Sequence, residues 1–263
     1  MSFAVLIVDS GVPFGSVSAW PGATAHSGLR LGMTHPADPA SCLAWLRRRE
    51  VEDLLLLGRP DVHTPAHVLA PTIAGARPGT AATLRIIDAT TLAMAVAAGH
   101  ALELRVAPPV AYRHVQDSLA AGVNGAYLSR VTRLEHPKPS LWQHLTSIFG
   151  RKHVAILGKQ GGVHRTGQVP ALPEAAALFI AAEDGSEEFE SVLATLPGPV
   201  SIHSVPPTVP TRSSFGSRGV EFFAFVAPEV QGNGAQCPSC RHATASSSCP
   251  FCRTRIHQKE FIA

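Results

Sequence analysis

The stretch Phe3-Ala-Val-Leu-Ile-Val8 decides the fold class of this chain. Six consecutive apolar residues are typical of a strand that is buried on both faces of a parallel sheet. The run ends at Asp9-Ser-Gly11, so polar groups follow the carboxyl end of the strand, where open α/β sheets carry their binding sites. Because the run is short and no basic segment precedes it, we interpret it as a strand and not as a signal peptide.

Further apolar strands alternate with helices along the chain. Leu54-Leu-Leu-Leu57 indicates a second buried strand, and the segment 175–182 is compatible with strand or helix. The alternation predicts an α/β fold built on a doubly wound, mainly parallel sheet. Helices are predicted at 39–50, 89–98, 110–134, 141–149 and 187–196, and further strands at 83–88, 101–106, 153–157, 200–205 and 220–226.

Length and composition describe a globular protein. The 263 residues are 45% hydrophobic and 16% charged, with a net charge of +3. No stretch reaches the 18 or more apolar residues that a membrane helix needs, so we expect no membrane partner. With clustered cysteines and no export signal, the expected compartment is the cytoplasm. We expect an α/β domain at 1–230 and a linker with a small metal-binding module at 231–263.

Two Cys-x-x-Cys pairs near the carboxyl terminus predict a zinc ribbon. Cys237 and Cys240 precede Cys249 and Cys252 by a short polar spacer, and four thiolates at this spacing can surround one Zn²⁺ tetrahedrally. Such a site has no open position, so the zinc would be structural and not catalytic. The alternatives are two disulfides or four unpaired thiols. The segment carries too little positive charge to argue strongly for nucleic acid as a partner.

Six segments, taken in order, resemble the subtilisin-like serine proteases. Val5–Val12 is similar to the family's V-x-V-I-D-S-G-V motif, and His63–Gly75 resembles H-G-T-H-V-A-G-T-I-A-G with two extra residues. The remaining similar segments are 77–88, 153–161, 169–184 and 212–230.

This resemblance implies a truncated subtilisin-like domain with a degenerate active site. Asp9 would match the catalytic aspartate, and His63 or His67 the catalytic base. The family's serine motif is absent, because the cysteine pairs occupy the span where it would lie. Loss of the nucleophile removes most of the activity of such a site.

The resulting functional hypothesis is a non-catalytic pseudo-protease that binds a protein or peptide, with a structural Zn²⁺. One alternative is an active serine hydrolase that uses a non-standard nucleophile such as Ser10, Ser213 or Ser214. Others are a zinc-ribbon protein associated with nucleic acid and an unrelated nucleotide-binding fold. The sequence leaves the oligomeric state open.

Overall fold

The structure, a computed structural model, contains two β-sheets with α-helices packed against them and a short carboxyl-terminal pair of strands. It describes residues 3–22, 30–159, 161–173, 176–196, 198, 201–207, 209–229, 235–239, 243–244, 249 and 254–255. The helices are α1 (Pro39–Arg47), α2 (His63–Ala66), α3 (Leu69–Ala76), α4 (Thr91–Glu103), α5 (Pro108–Ala121), α6 (Leu141–Ile148), α7 (Glu187–Thr195) and α8 (Thr211–Phe215).

The first sheet has five strands, and β1 (Phe3–Val8) lies at its centre. It pairs in parallel with β3 (Leu31–Thr34) and β4 (Asp53–Gly58), and β4 pairs in parallel with β5 (Ala81–Ile86). The short strand β2 (Ser18–Ala19) runs antiparallel to β3 at one edge. Every residue of β1 and β4 is buried, so the predicted two-sided burial of these strands is confirmed.

The second sheet has six strands, in the order β10-β9-β11-β6-β7-β8. Only β9 and β10 run in parallel, and every other neighbouring pair is antiparallel. The α/β class is therefore confirmed, but a mainly parallel doubly wound sheet is wrong for this half of the chain. The strands are β6 (Val123–Leu128), β7 (His153–Ile156), β8 (Gly162–Arg165), β9 (Ala177–Ile180), β10 (Ser201–Ser204) and β11 (Gly219–Phe225).

Helix α4 is the element that joins the two sheets. Eleven of its thirteen residues are buried, and it packs against both β1 and β11. The Thr90 side chain caps its first turn by accepting a hydrogen bond from the Ala93 N–H. The predicted helix end at Gly99 and the strand at 101–106 are wrong. Gly99 lies inside the helix, where a Cβ atom would come within 3.3 Å of the Trp20 ring, so the glycine permits close packing.

The carboxyl-terminal segment contributes β12 (Ala235–Gln236) and β13 (Ala243–Thr244), which pair in antiparallel fashion. Helix α5 packs against β13. The predicted domain boundary at residue 230 lies outside the described residues. Across the described parts of the chain, none of the helices combines the length and hydropathy needed to cross a bilayer.

Candidate functional site

Asp9 connects the central strand to the central helix. It follows β1 directly and is buried. Its carboxylate accepts hydrogen bonds from the Gly11 N–H, at 2.8 Å, and from the hydroxyl of Thr91, the first residue of α4. An anionic side chain beside the amino terminus of a helix also interacts favourably with the helix dipole. These contacts give Asp9 a structural role at the carboxyl edge of the first sheet.

Glu221 is a second carboxyl group at the same end of α4. It lies on β11, is only 5% exposed, and accepts a hydrogen bond from the Leu92 N–H at 2.8 Å. Burial raises the pKa of Glu221 to about 7, and the nearby Asp9 carboxylate acts in the same direction. The Leu92 hydrogen bond and the charge of Arg59 oppose this shift. The group therefore changes its charge close to neutral pH.

Arg59 supplies the positive charge of this cluster. It follows β4 and is buried, with its guanidinium 4.7 Å from the centre of the Phe215 ring. Its Nη2 donates to the Ser214 carbonyl oxygen at 2.9 Å, and its Nε donates to Asp61 at 3.1 Å. Arg59 thus ties the carboxyl end of β4 to helix α8.

Two buried polar atoms of this cluster make no hydrogen bond within the described structure. They are Oε1 of Glu221 and Nη1 of Arg59. A buried polar atom without a partner costs about 1–3 kcal/mol, so such atoms are uncommon in folded proteins. They mark the carboxyl edge of the first sheet as a place where a ligand or water molecule can bind.

A cavity of about 530 Å³ opens beside Glu221, between β6, β11 and α7. Its wall is largely apolar and includes the side chains of Tyr127, Val209 and Val220. A second, much smaller cavity of about 20 Å³ shares Glu221 with it and reaches the first turn of α4. Charged residues of both signs also line the larger cavity: three are basic and three acidic, namely Lys152, Arg212 and Arg218, and Glu187, Glu188 and Glu221.

Two other cavities have different walls. One of about 850 Å³ has a mixed polar and apolar wall and contains Arg59 together with the contact between His136 and Asp88, whose Nε2 and Oδ2 atoms lie 3.0 Å apart. Another of about 790 Å³ lies between α5, β7 and the end of β5. Of these three cavities, the one beside Glu221 has the most apolar wall, and it is also lined by three basic residues.

The residues that resemble a protease dyad are not brought together by hydrogen bonds. His63 and His67 lie at α2 on the exposed surface, and the His67 Nδ1 atom is 2.7 Å from the Thr64 carbonyl oxygen. In the described structure the carboxylate of Asp9 bonds to Gly11 and Thr91 and to neither histidine. The segment similar to the family's histidine motif is a surface helix pair here.

The predicted zinc ligands are described only in part. Cys237 and Cys249 are buried, and the Cys249 N–H donates to the Thr254 carbonyl oxygen at 2.8 Å. Cys240 and Cys252 lie outside the described residues. Among the residues that are described, no group of three or more His, Cys, Asp or Glu residues could hold a metal ion, and no zinc ribbon is evident. Zinc binding stays a prediction.

Comparison with known proteins identifies the fold. No protein-family model and no curated protein sequence matches the chain. Among solved structures, a DegV family protein from Corynebacterium glutamicum is similar with a TM-score of 0.58 and 16% identity, covering 88% of this chain and 99% of its own. A fatty-acid-binding DegV family protein from Thermus thermophilus has a TM-score of 0.56 and 12% identity, covering 86% and 99%. The fatty acid kinase B3 protein of Streptococcus pneumoniae, loaded with linoleic acid, has a TM-score of 0.51 and 10% identity, covering 87% and 100%.

These similarities overturn the resemblance to subtilisin-like proteases. The fold is that of the DegV proteins over almost their whole length, so the truncated protease domain and the pseudo-protease function are wrong. An apolar strand followed by Asp-Ser-Gly is compatible with many parallel sheets, because each has polar loops at its carboxyl edge. The order of the six similar segments along the chain gave no information on which strands pair with each other.

The residues that sequence reasoning missed are Arg59 and Glu221. Glu221 stands alone among apolar residues in the strand predicted at 220–226. A single carboxyl group inside a fully buried strand is costly unless it has a partner, so it is a signal of a polar site. Arg59 had no comparable signal, because it comes shortly after the strand predicted from Leu54–Leu57, where an ordinary loop residue would lie.

Proposed function

We propose that this protein binds a fatty acid or a closely related single-chain lipid in the cavity of about 530 Å³ beside Glu221. The observation that carries the proposal is this apolar cavity with its cationic residues, in a fold shared with proteins that bind fatty acids. Its volume lies within the range of about 300–1,000 Å³ that is usual for small-molecule sites.

The walls of the cavity suit the two parts of such a ligand. An acyl chain gains free energy from contact with Tyr127, Val209 and Val220, because apolar surface on both sides leaves water. A carboxylate head would lie at the exposed guanidinium groups of Arg212 and Arg218, which match its planar geometry.

The amino terminus of α4 is not available as a binding site for the carboxylate head group. The carboxyl group of Glu221 already accepts the Leu92 N–H there, and Asp9 accepts the Thr91 hydroxyl. A ligand carboxylate placed beside these two acids would be repelled whenever they are ionised. We therefore assign the head group to the arginine side of the cavity.

The direct test is the binding of oleate to delipidated protein, measured by displacement of a fluorescent fatty acid and by native mass spectrometry. Ser191 lines the cavity from α7, so Ser191→Trp should fill part of it and weaken binding at least about tenfold. Its exposed neighbour on the same helix provides the matched control, Glu190→Trp, which should bind oleate as the unchanged protein does. Absence of binding by the unchanged protein, or equal affinities of the two variants, would refute the proposal.

A further inference from the structure

Helix α6 has its polar face inward and its apolar face outward. The outward residues are spaced at i, i+1, i+4, i+7 and i+8, which places them on one side of a helix and its last turn. They are Leu141 (85% exposed), Trp142 (62%), Leu145 (51%), Ile148 (60%) and Phe149 (85%). Five large apolar side chains in one exposed group are unusual for a protein surface that meets only water.

The inner face of α6 is held by hydrogen bonds. The Gln143 side chain donates to the Val163 carbonyl oxygen at 2.6 Å, and the buried Thr146 hydroxyl lies 3.5 Å from Nε2 of His153. Gln143 and Ser140 also form a capping box at the start of the helix. These contacts fix the orientation of the helix, so the outward apolar face is a consequence of the fold and not of a loosely placed segment.

The segment of sequence that contains α6 is rich in positive charge. Residues 130–165 contain seven Lys and Arg residues and a single acidic residue, Glu135, a net charge of +6 in a chain whose net charge is +3. Lys138, Arg151 and Lys152 are exposed immediately before and after α6. The remainder of the chain is therefore net negative, and the net positive charge of the protein lies in the segment of sequence that contains this helix.

We infer that α6 and its basic flanks form a surface that docks on anionic membranes, with the helix lying in the interface plane. Leu, Phe and Trp on one side with Lys and Arg beside them is the composition of helices that enter the headgroup region of a bilayer. A second copy of this chain is a poorer occupant, because pairing two such surfaces would bring their net positive charges together. A helix in this position lies on the membrane surface and does not cross the bilayer. The inference is therefore compatible with the finding that none of the described helices can span a membrane.

The α6 surface lies close to the cavity proposed to bind a lipid. The inference of membrane docking rests on the α6 surface alone and does not depend on that proposed ligand. Lys152, which follows α6, also lines the cavity of about 530 Å³, and its Nζ atom lies 5.5 Å from the centre of the Tyr127 ring in that wall. A membrane bound at α6 would therefore lie beside one side of the cavity.

The test is co-sedimentation of the lipid-free protein with vesicles of phosphatidylcholine alone and of an equimolar mixture with phosphatidylglycerol. We expect binding to the anionic vesicles that weakens as salt is added. Phe149→Ser should weaken it at least about tenfold through lost apolar contact. Phe14→Ser is the matched control, since Phe14 is a 69% exposed aromatic residue elsewhere on the surface.

Charge is tested separately by the double variant Arg151→Glu with Lys152→Glu, compared with Arg47→Glu with Arg48→Glu at the exposed end of α1. We expect the first to lose at least about tenfold in affinity for anionic vesicles and the second to lose much less. Circular dichroism verifies that each variant is folded. No binding to anionic vesicles, equal effects of both members of either pair, or a concentration-dependent dimer that Phe149→Ser abolishes would overturn the inference. If the unchanged protein binds anionic vesicles but does not bind oleate, only the proposed ligand is contradicted.

Discussion

Replacing Glu221 by Gln tests the buried cluster at the amino terminus of α4. Burial raises the pKa of Glu221 from 4.5 to about 7 on folding. An acid whose pKa is raised in the folded state contributes stability that is fully present below about pH 4.5 and is lost as the pH rises through about 7. At 1.36 kcal/mol for each pKa unit, the full loss is about 3 kcal/mol.

The amide side chain of the Glu221→Gln variant has no proton to lose and can still accept the Leu92 N–H through its oxygen. The free energy of unfolding of the unchanged protein, measured relative to this variant, should therefore fall by about 3 kcal/mol between pH 4.5 and pH 8. The assay is urea unfolding followed by circular dichroism at a series of pH values. His100 and His114 are present in both proteins, so their titration cancels in the difference.

The matched control is Glu183→Gln, because Glu183 is exposed. Its difference from the unchanged protein should vary little with pH. A difference for Glu221→Gln that stays constant across this range would refute the assignment of a buried carboxyl group with a raised pKa.

Two further predictions concern packing and metal. Gly125→Ala should lower the free energy of unfolding by at least about 2 kcal/mol in urea titrations, because a Cβ atom there would clash with the Ala155 carbonyl oxygen. Gly75→Ala on α3, with nothing within 4 Å of the added carbon, should be neutral or stabilising. Elemental analysis should find zinc equimolar with the chain and depleted in Cys240→Ser; a metal-free protein whose melting temperature a chelator leaves unchanged would contradict zinc binding.

The elements that could be predicted from sequence are those whose burial is expressed locally. Strands β1 and β4 are continuous apolar runs, and α6 begins and ends close to its predicted bounds of 141–149. Strand β6 was missed, because Val123–Leu128 follows α5 with only Gly122 between them and reads as more of the same helix. Strand β3 was missed because it lies in a segment rich in Gly and Pro.

The pairing of strands could not be predicted, and this is why the site was not. Glu221 and Leu92 are 129 residues apart in sequence, and Arg59 and Ser214 are 155 apart. Only the antiparallel position of β11 in the second sheet, packed on α4, brings these groups to the carboxyl edge of β1. The resemblance to proteases pointed to the correct end of β1, but the elements that it placed beside this end were wrong.

The inward face of α6 is polar, so the side chains that attach this helix to the protein differ from the apolar side chains that it exposes. In a typical surface helix the apolar residues hold the helix to the protein, so changing them costs folding stability. Here Gln143 and Thr146 make the inward contacts, while residues such as Leu145 and Phe149 face outward. The outward positions can therefore vary during evolution, or be redesigned, with little effect on the rest of the fold. What the helix contacts can change while its attachment to the protein stays the same.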